Sequence, residues 1–274
     1  MNTLYYHVYL SDDPGVWSSI VLEQLKCMED YHMLDYLDII NVTAITQDDY
    51  RKEAFQKLCD SFSSDKFNIE FVKNPWNNDR QMIQNLEHES TISENYTYRK
   101  IYEDCLRIKN EFNICYIHTK GITSTIRHLE TSNIHMYKNY YYWRQYLNWG
   151  IIQNWKACVY ALDLFDVFDV AGINYYEKPS KHYSGNFWWT KSNYIKKLPD
   201  PASKEWWKKL QEKTTDQWLK TTSDRFRDEM WLCSIDNVRA FNHFTLLQHE
   251  NPAGKLLQSN VYKGRDNDNR SLYE

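Results

Sequence analysis

The feature that most narrows the fold is an alternation in the first 120 residues. Short apolar runs, each too brief for a helix, are separated by segments whose apolar residues recur at helical spacing. LYYHVYL opens the series; after the turn-forming SDDPG, Trp17, Ile20, Val21, Leu25 and Met28 share one helical face. LDIINVTAI reads as a second strand, and Phe55, Leu58 and Phe62 mark the next helix. FNIEFV alternates as a third strand; Ile101, Cys105 and Ile108 stripe a helix beginning near Glu94, and NICYIHTK is a fourth strand. Strands alternating with helices imply parallel pairing with crossover helices, because a parallel neighbour cannot be reached by a tight turn. The expected fold is therefore α/β and Rossmann-like, a central mixed, mostly parallel sheet flanked by helices.

Further along, residues 135–168 read as helical and unusually aromatic, with Ile151, Trp155, Cys158, Leu162 and Phe165 at steps of four, three, four and three. Such a stripe predicts core rather than a cofactor box. DVAGINYY follows as a strand, and HYSGNFWWTKSNYIKKLP as a loop, a short strand and a helix ended by Pro199. Residues 200–228 are highly charged, with little periodicity beyond Trp206, Trp207, Leu210 and Trp218. RDEMWLCSI predicts a helix and AFNHFTLL a strand. No internal repeat or Gly/Ser linker interrupts the chain, so one domain over 1–250 and a polar tail over 251–274 are expected.

Composition excludes several classes. A net charge of -4 gives no broad basic field, so nucleic acid is not an expected partner. The six cysteines are scattered without a C-x-x-C pair, as expected of reduced, buried thiols in a cytoplasmic protein rather than a disulfide framework or zinc site. There is no run of about 18 apolar residues, which predicts a soluble protein, peripheral to a membrane at most. The 22 tyrosines and 11 tryptophans suit polar organic ligands such as sugars, although core packing accounts for most of them.

Three constellations carry usable chemistry. The first is the end of the fourth strand, His118-Thr119-Lys120-Gly121. In open α/β sheets ligands bind beyond the carboxyl ends of the strands. Lysine and histidine donate charged hydrogen bonds to a diphosphate, Thr119 adds a hydroxyl, and Gly121 admits close backbone approach; a solvated strand end with a turn glycine reads equally well. The second is HYSGNFWW, where His182, Ser184, Gly185 and Asn186 offer small and polar groups. Adjacent tryptophans on a strand point to opposite faces, so of Trp188 and Trp189 one is expected in the core and the other lining a cleft against a sugar ring. The alternative is a tight turn before a core strand. Third, Asp228 and Glu229 stand near a helix start, where a carboxylate serves as a general base or merely complements the helix dipole.

Weaker candidates lie elsewhere in the chain. Asp163, Asp166 and Asp169 read as a solvated helix edge, and Asp266-Asn267-Asp268 is a formal D-x-D in a polar tail. His249 and Glu250 follow an apolar run as a modest candidate for a metal or phosphate contact.

Taken together, YIHTKG, YWRQYL, DVAGINYY, HYSGNFWWTKSNYIKKLP and RDEMWL resemble a group of GT-A-like glycosyltransferases from bacterial surface-polysaccharide clusters and large DNA viruses. The resemblance spans roughly residues 94–235. It implies a nucleotide-diphosphosugar fold with the donor site at strand ends, a nucleotide-sugar donor and a glycan or glycoconjugate acceptor. The place of the family's D-x-D is taken here by His118-Thr119-Lys120, so a donor site without metal and one holding Mn²⁺ or Mg²⁺ both stay open. By the same likeness Lys120, helped by His118 and Arg144, would neutralise the leaving diphosphate. The Gly185-Asn186-Phe187-Trp188 loop would face the sugars, and Glu229, with Asp228 as its rival, would be the base. Loss of the D-x-D also suits a non-catalytic carbohydrate- or nucleotide-sugar-binding module derived from such an enzyme.

Overall fold

A computed structural model describes residues 1–63, 65–74, 94–132, 134–164, 167–178, 180–221 and 227–243. The chain runs β1 (Asn2–Tyr9), α1 (Pro14–Asp30), α2 (Met33–Tyr36), β2 (Ile39–Ile45), α3 (Asp49–Ser63), β3 (Phe67–Val72), α4 (Asn95–Arg107) and β4 (Asn113–His118). It continues through α5 (Ile122–Thr131), α6 (Ile134–Asn148), a π-helical turn (Trp149–Gln153), α7 (Trp155–Asp163), β5 (Val170–Gly172), β6 (Tyr175–Tyr176) and β7 (His182–Tyr183). Then come β8 (Trp188–Lys191), α8 (Ser192–Ile195), α9 (Glu205–Lys213), α10 (Gln217–Thr221), α11 (Arg227–Trp231) and β9 (Ala240–Asn242).

Seven strands form one sheet in the order β3-β2-β1-β4-β8-β5-β9. All pairs are parallel except those made by β8, which runs against both β4 and β5. The protein is thus α/β with a mostly parallel, mixed sheet, compatible with a Rossmann-like fold. The chain steps outward from β1 to β3 and then returns past β1 to β4. That reversal opens a crevice between the carboxyl ends of β1 and β4, because the loops there lead away in opposite directions.

Alternation along the strands divides the sheet into unlike faces. Leu4, Tyr6 and Val8, with Ile40, Val42 and Ala44 in register beside them, pack against α1 and α3 in one core. That core continues through Leu147, Ile151, Cys158 and Trp189. On the other face lie Tyr5, Ile114, Tyr116 and Trp188, covered by Tyr98, Ile101 and Cys105 of α4 and by Trp207, Met230 and Trp231. At about 25 cal/mol per Å² of apolar surface removed from water, these aromatics supply much of the driving force.

Several expectations from the sequence change. The helix over 135–168 is two helices, because a π turn and Asn154 interrupt it; the Asn154 side chain donates to the Trp149 carbonyl at 3.0 Å. Its stripe still holds, with Ile151, Trp155, Cys158 and Leu162 all buried; Phe165 lies outside the described residues. DVAGINYY splits into β5 and the edge of a separate two-stranded sheet. The charged stretch after Pro199 contains α9, which shows no stripe because its buried residues, Trp206 and Trp207, are adjacent. Asp169 is no solvated edge: Arg239 donates to its two carboxylate oxygens at 2.8 and 2.9 Å.

Candidate functional site

β4 ends in the crevice because its apolar run stops at Ile117, and the three residues after it each take a different task. Thr119 closes the gap to β1: its amide donates to the His7 carbonyl at 3.1 Å and its hydroxyl accepts from the Tyr9 amide at 3.2 Å. Gly121 turns the chain into α5 with φ +86°, a conformation costly for other residues, and a Cβ there would meet Tyr140 and the Arg144 guanidinium at 3.3 Å. Between them Lys120 extends its ammonium to 4.5 Å from the centre of the Trp143 ring and 3.8 Å from Glu229 Oε1.

His118 is held on both ring nitrogens. Nδ1 lies 2.9 Å from Glu94 Oε1, and Nε2 donates to the Gly185 carbonyl at 3.1 Å. Gly185 is the residue that permits this contact: φ is +90°, and a Cβ would come within 2.7 Å of Leu147. The histidine therefore ties the start of α4 to the 185–186 turn rather than presenting a free donor to an anion.

Glu94 is the hub. It stands one residue before α4, yet its side chain caps nothing there. Tyr116 donates to Oε2 at 3.0 Å and Tyr98 at 3.2 Å, and the Asn186 amide donates to the same oxygen. Asn186 also contacts the Tyr98 hydroxyl and accepts from the Trp188 indole at 3.1 Å. Burial raises the carboxyl's proton affinity, but the His118 charge and hydrogen bond, then Lys120 and His7, outweigh it and hold Glu94 well below the usual carboxylate range. With its side chain 21% exposed, Glu94 is the ionised floor of the crevice.

His7, paired with the Thr97 hydroxyl at 2.9 Å, lies beneath it. Burial pushes its pKa down to about 4, against the pull of Glu94 and with help from the His118 charge. The unfolded chain then takes up a proton near 6.5 that the folded chain refuses until about 4, so stability present above pH 6.5 is lost on acidification. The loss should be on the order of 3 kcal/mol between those limits. Urea midpoints measured from pH 7.5 to 4.5 should fall, and His7→Gln should flatten the decline.

A second layer fixes the Lys120 loop from below. Arg144 grips both oxygens of Glu23 at 2.9 and 3.0 Å and donates to the Lys120 carbonyl at 3.0 Å. Gln24 donates to the His118 carbonyl at 3.1 Å while accepting from the Tyr6 hydroxyl at 2.5 Å. The Arg144 charge is therefore committed to Glu23, and its role is to position the loop.

The remaining predicted residues divide. Glu229 reaches the crevice. Asp228 is buried, 3.5 Å from Arg227 Nε and 3.4 Å from the Asn95 amide, which makes it a structural partner. The expectation that one tryptophan lines a cleft is corrected: Trp188 and Trp189 are both 0% exposed, one in each core, because the sheet is covered on both faces. The Trp189 indole donates to the Ile151 carbonyl at 3.0 Å. His182 is buried on β7 and donates to the Ser180 carbonyl at 2.7 Å, while the Ser184 amide donates to the Asn174 carbonyl at 3.0 Å. His249, Glu250, Asp266 and Asp268 lie outside the described residues.

Glu94 gives no signal in the sequence, because a lone glutamate at a helix start is the ordinary complement to the dipole. His7 and Gln24, also absent from the expected site, do carry a signal. Each is a polar residue at a position its strand or helix pattern assigns to the interior.

The described residues hold no ready-made cluster for a divalent cation. Among them no group of three or more His, Cys, Asp or Glu is placed to hold one. The carboxylates of the crevice, Glu94 and Glu229, already face His118 and Lys120. The six cysteines are free thiols. Among the described residues no helix is long and apolar enough to cross a membrane.

A family model described as Domain of unknown function (DUF8361) matches residues 5–253. The chain belongs to this family. The match runs from Tyr5 in β1 and includes Glu94, the His118–Gly121 turn, Arg144, the 182–189 segment and Glu229. No curated protein matches the chain.

Proposed function

We propose that the protein is a glycosyltransferase that moves a sugar from a nucleotide-diphosphate sugar to a hydroxyl of a glycan or glycoconjugate, acting in the cytoplasm, free or at a membrane surface. The observation that carries this reading is the Lys120–Glu229 pair, 3.8 Å apart at the sheet's switch point. A cation suited to a leaving diphosphate and a carboxylate suited to an acceptor hydroxyl meet there.

The chemistry follows from the pairing. Glu229 takes the proton of the acceptor hydroxyl as its oxygen bonds to the anomeric carbon. The bond from that carbon to the diphosphate oxygen breaks, and its electron pair leaves with the phosphate. Protonation removes the charge that Lys120 had faced, so the ammonium is released to the diphosphate as negative charge develops on it. Trp143 beneath the ammonium keeps it in place through the transfer.

Room for a nucleoside supports the reading. An open cleft of about 420 Å³ lies at the ends of β2 and β3, lined by Thr46, Gln47, Lys52, Phe71 and Lys73. With strands about 4.8 Å apart, it stands about 10–14 Å from β4, the reach of a nucleoside diphosphate.

A thermal-shift panel of nucleotide sugars, run with and without Mn²⁺, tests the reading. One or more nucleotide sugars should raise the melting temperature without metal, and free glycans should not substitute. Lys120→Ala should weaken that binding by about 1.5–3 kcal/mol, or roughly ten- to a hundred-fold. Strict dependence on Mn²⁺ would overturn the lysine's role, and glycan binding indifferent to nucleotide sugars would favour the non-catalytic module.

A further inference from the structure

The opposite end of the sheet carries a cleft that the transferase reading does not use. It has a volume of about 370 Å³ and lies between α4 and the amino-terminal ends of β1–β3. Its polar lining comes from Thr3, Asn41, Asn68, Lys100, Asp104 and Arg107, together with Asp65 and Lys66.

Its origin is written in β2 and β3. Buried parallel strands are usually apolar on both faces. Here the register pairs Tyr5 with Asn41, Asn41 with Asn68, and Thr43 with Glu70, so one half-face of the sheet is polar. These groups are not simply solvated. Asn41 and Thr3 are buried, and the Thr3 hydroxyl has no hydrogen-bond partner.

The chemistry selects a class of ligand. Charges of both signs balance around the wall, Asp65, Asp104 and the adjoining Glu70 against Lys66, Lys100 and Arg107; Arg107 donates to Asp104 at 2.6 Å, Lys100 pairs with Glu70 at 2.7 Å, and Lys66 donates to the Leu34 carbonyl at 2.7 Å. A cleft without net charge does not favour an anion or a cation. Asn68 donates to the Asn41 carbonyl oxygen at 2.9 Å, which leaves donors on both carboxamides and the Asn68 oxygen as an acceptor. Each Asp104 oxygen takes one contact, from Tyr5 at 2.9 Å and from Arg107, and a carboxylate oxygen accepts two. Mixed donors and acceptors with balanced charge suit hydroxyl groups, which do both. A cleft of this size lies within the range for small ligands and holds a single sugar ring.

We propose that this cleft binds a neutral polyhydroxy ligand, a monosaccharide unit, at a site separate from the Lys120 crevice. The assignment stands whether or not the transferase reading holds. The test is titration of the ¹⁵N-labelled protein with glucose, galactose, mannose and N-acetylglucosamine at millimolar concentration, followed through the side-chain amides of Asn41 and Asn68. At least one sugar should shift both amides saturably. Asn68→Ala, a change at an exposed residue that the fold tolerates, should weaken binding about three- to ten-fold, and Lys120→Ala should leave it unchanged. Three results would overturn the proposal: no saturable shift with any of the four sugars, shifts unaltered by Asn68→Ala, or stronger saturation by inorganic phosphate than by sugar.

Discussion

Glu229→Gln should lower the rate of sugar transfer by about two to four orders of magnitude, the usual contribution of a positioned general base. Donor binding should stay intact or tighten. The substitution keeps the side chain's shape but removes the proton acceptor and the charge opposite Lys120, so the ammonium is left for the diphosphate. Asp228→Asn should behave differently. Asp228 lies 3.5 Å from Arg227 Nε inside the helical layer, so its loss should appear as lowered stability with a smaller change in turnover. Single-turnover rates and melting temperatures for the two variants separate these outcomes. An unchanged rate in Glu229→Gln would remove it from the mechanism.

Glu94→Ala should be the most destabilising single change in the crevice. It strands the His118 imidazole and three donors, from Tyr98, Tyr116 and Asn186, around an empty position. Breaking a buried charge pair from one side costs about 3–5 kcal/mol. At about 2–4 °C per kcal/mol for a chain of this size, the melting temperature should fall by about 6–20 °C. The double variant Glu94→Ala/His118→Ala should cost less than the sum of the single changes, since neither charge then remains unpaired. Strict additivity would mean that the two residues do not act as a pair. The depressed pKa of Glu94 adds a pH signature below that of His7. Its contribution is complete above the ordinary carboxylate value of 4.5 and is lost as pH falls further, because only the unfolded chain then binds the proton readily. Wild-type stability should thus decline in two stages on acidification, with the lower one absent from Glu94→Gln.

Much of the parallel half was legible in the residues. The strands from LYYHVYL to NICYIHTK stand where their apolar runs put them, and the stripes of Trp17–Met28 and Ile101–Cys105 do face the sheet. Local patterning suffices there because each element buries a regular face. It fails where burial is irregular. The paired tryptophans of α9 make no stripe, and the break at Asn154 leaves the stripe around it intact.

The site was half legible for a related reason. His118, Lys120, Gly185, Asn186 and Glu229 announce themselves as polar or flexible residues at the ends of apolar segments. Their tasks do not. His118 and Arg144 read as free cations, and each proves committed to a carboxylate distant in sequence, Glu94 and Glu23. Trp188 reads as a surface for a sugar, and it is covered by Tyr98 and Tyr116.

The alternating layers, the strand that ends in His-Thr-Lys-Gly and the residue types on offer in the crevice are all set by local sequence. Periodicity and turn chemistry are local, and they survive without knowledge of the partner. Which charges are spent and which are available depends on packing between distant segments. Ion pairing joins residues up to 121 positions apart. Lys120 faces Glu229 and His118 is locked to Glu94, and the antiparallel β8 brings the 185–186 turn alongside β4, where the Gly185 carbonyl takes the second ring nitrogen of His118.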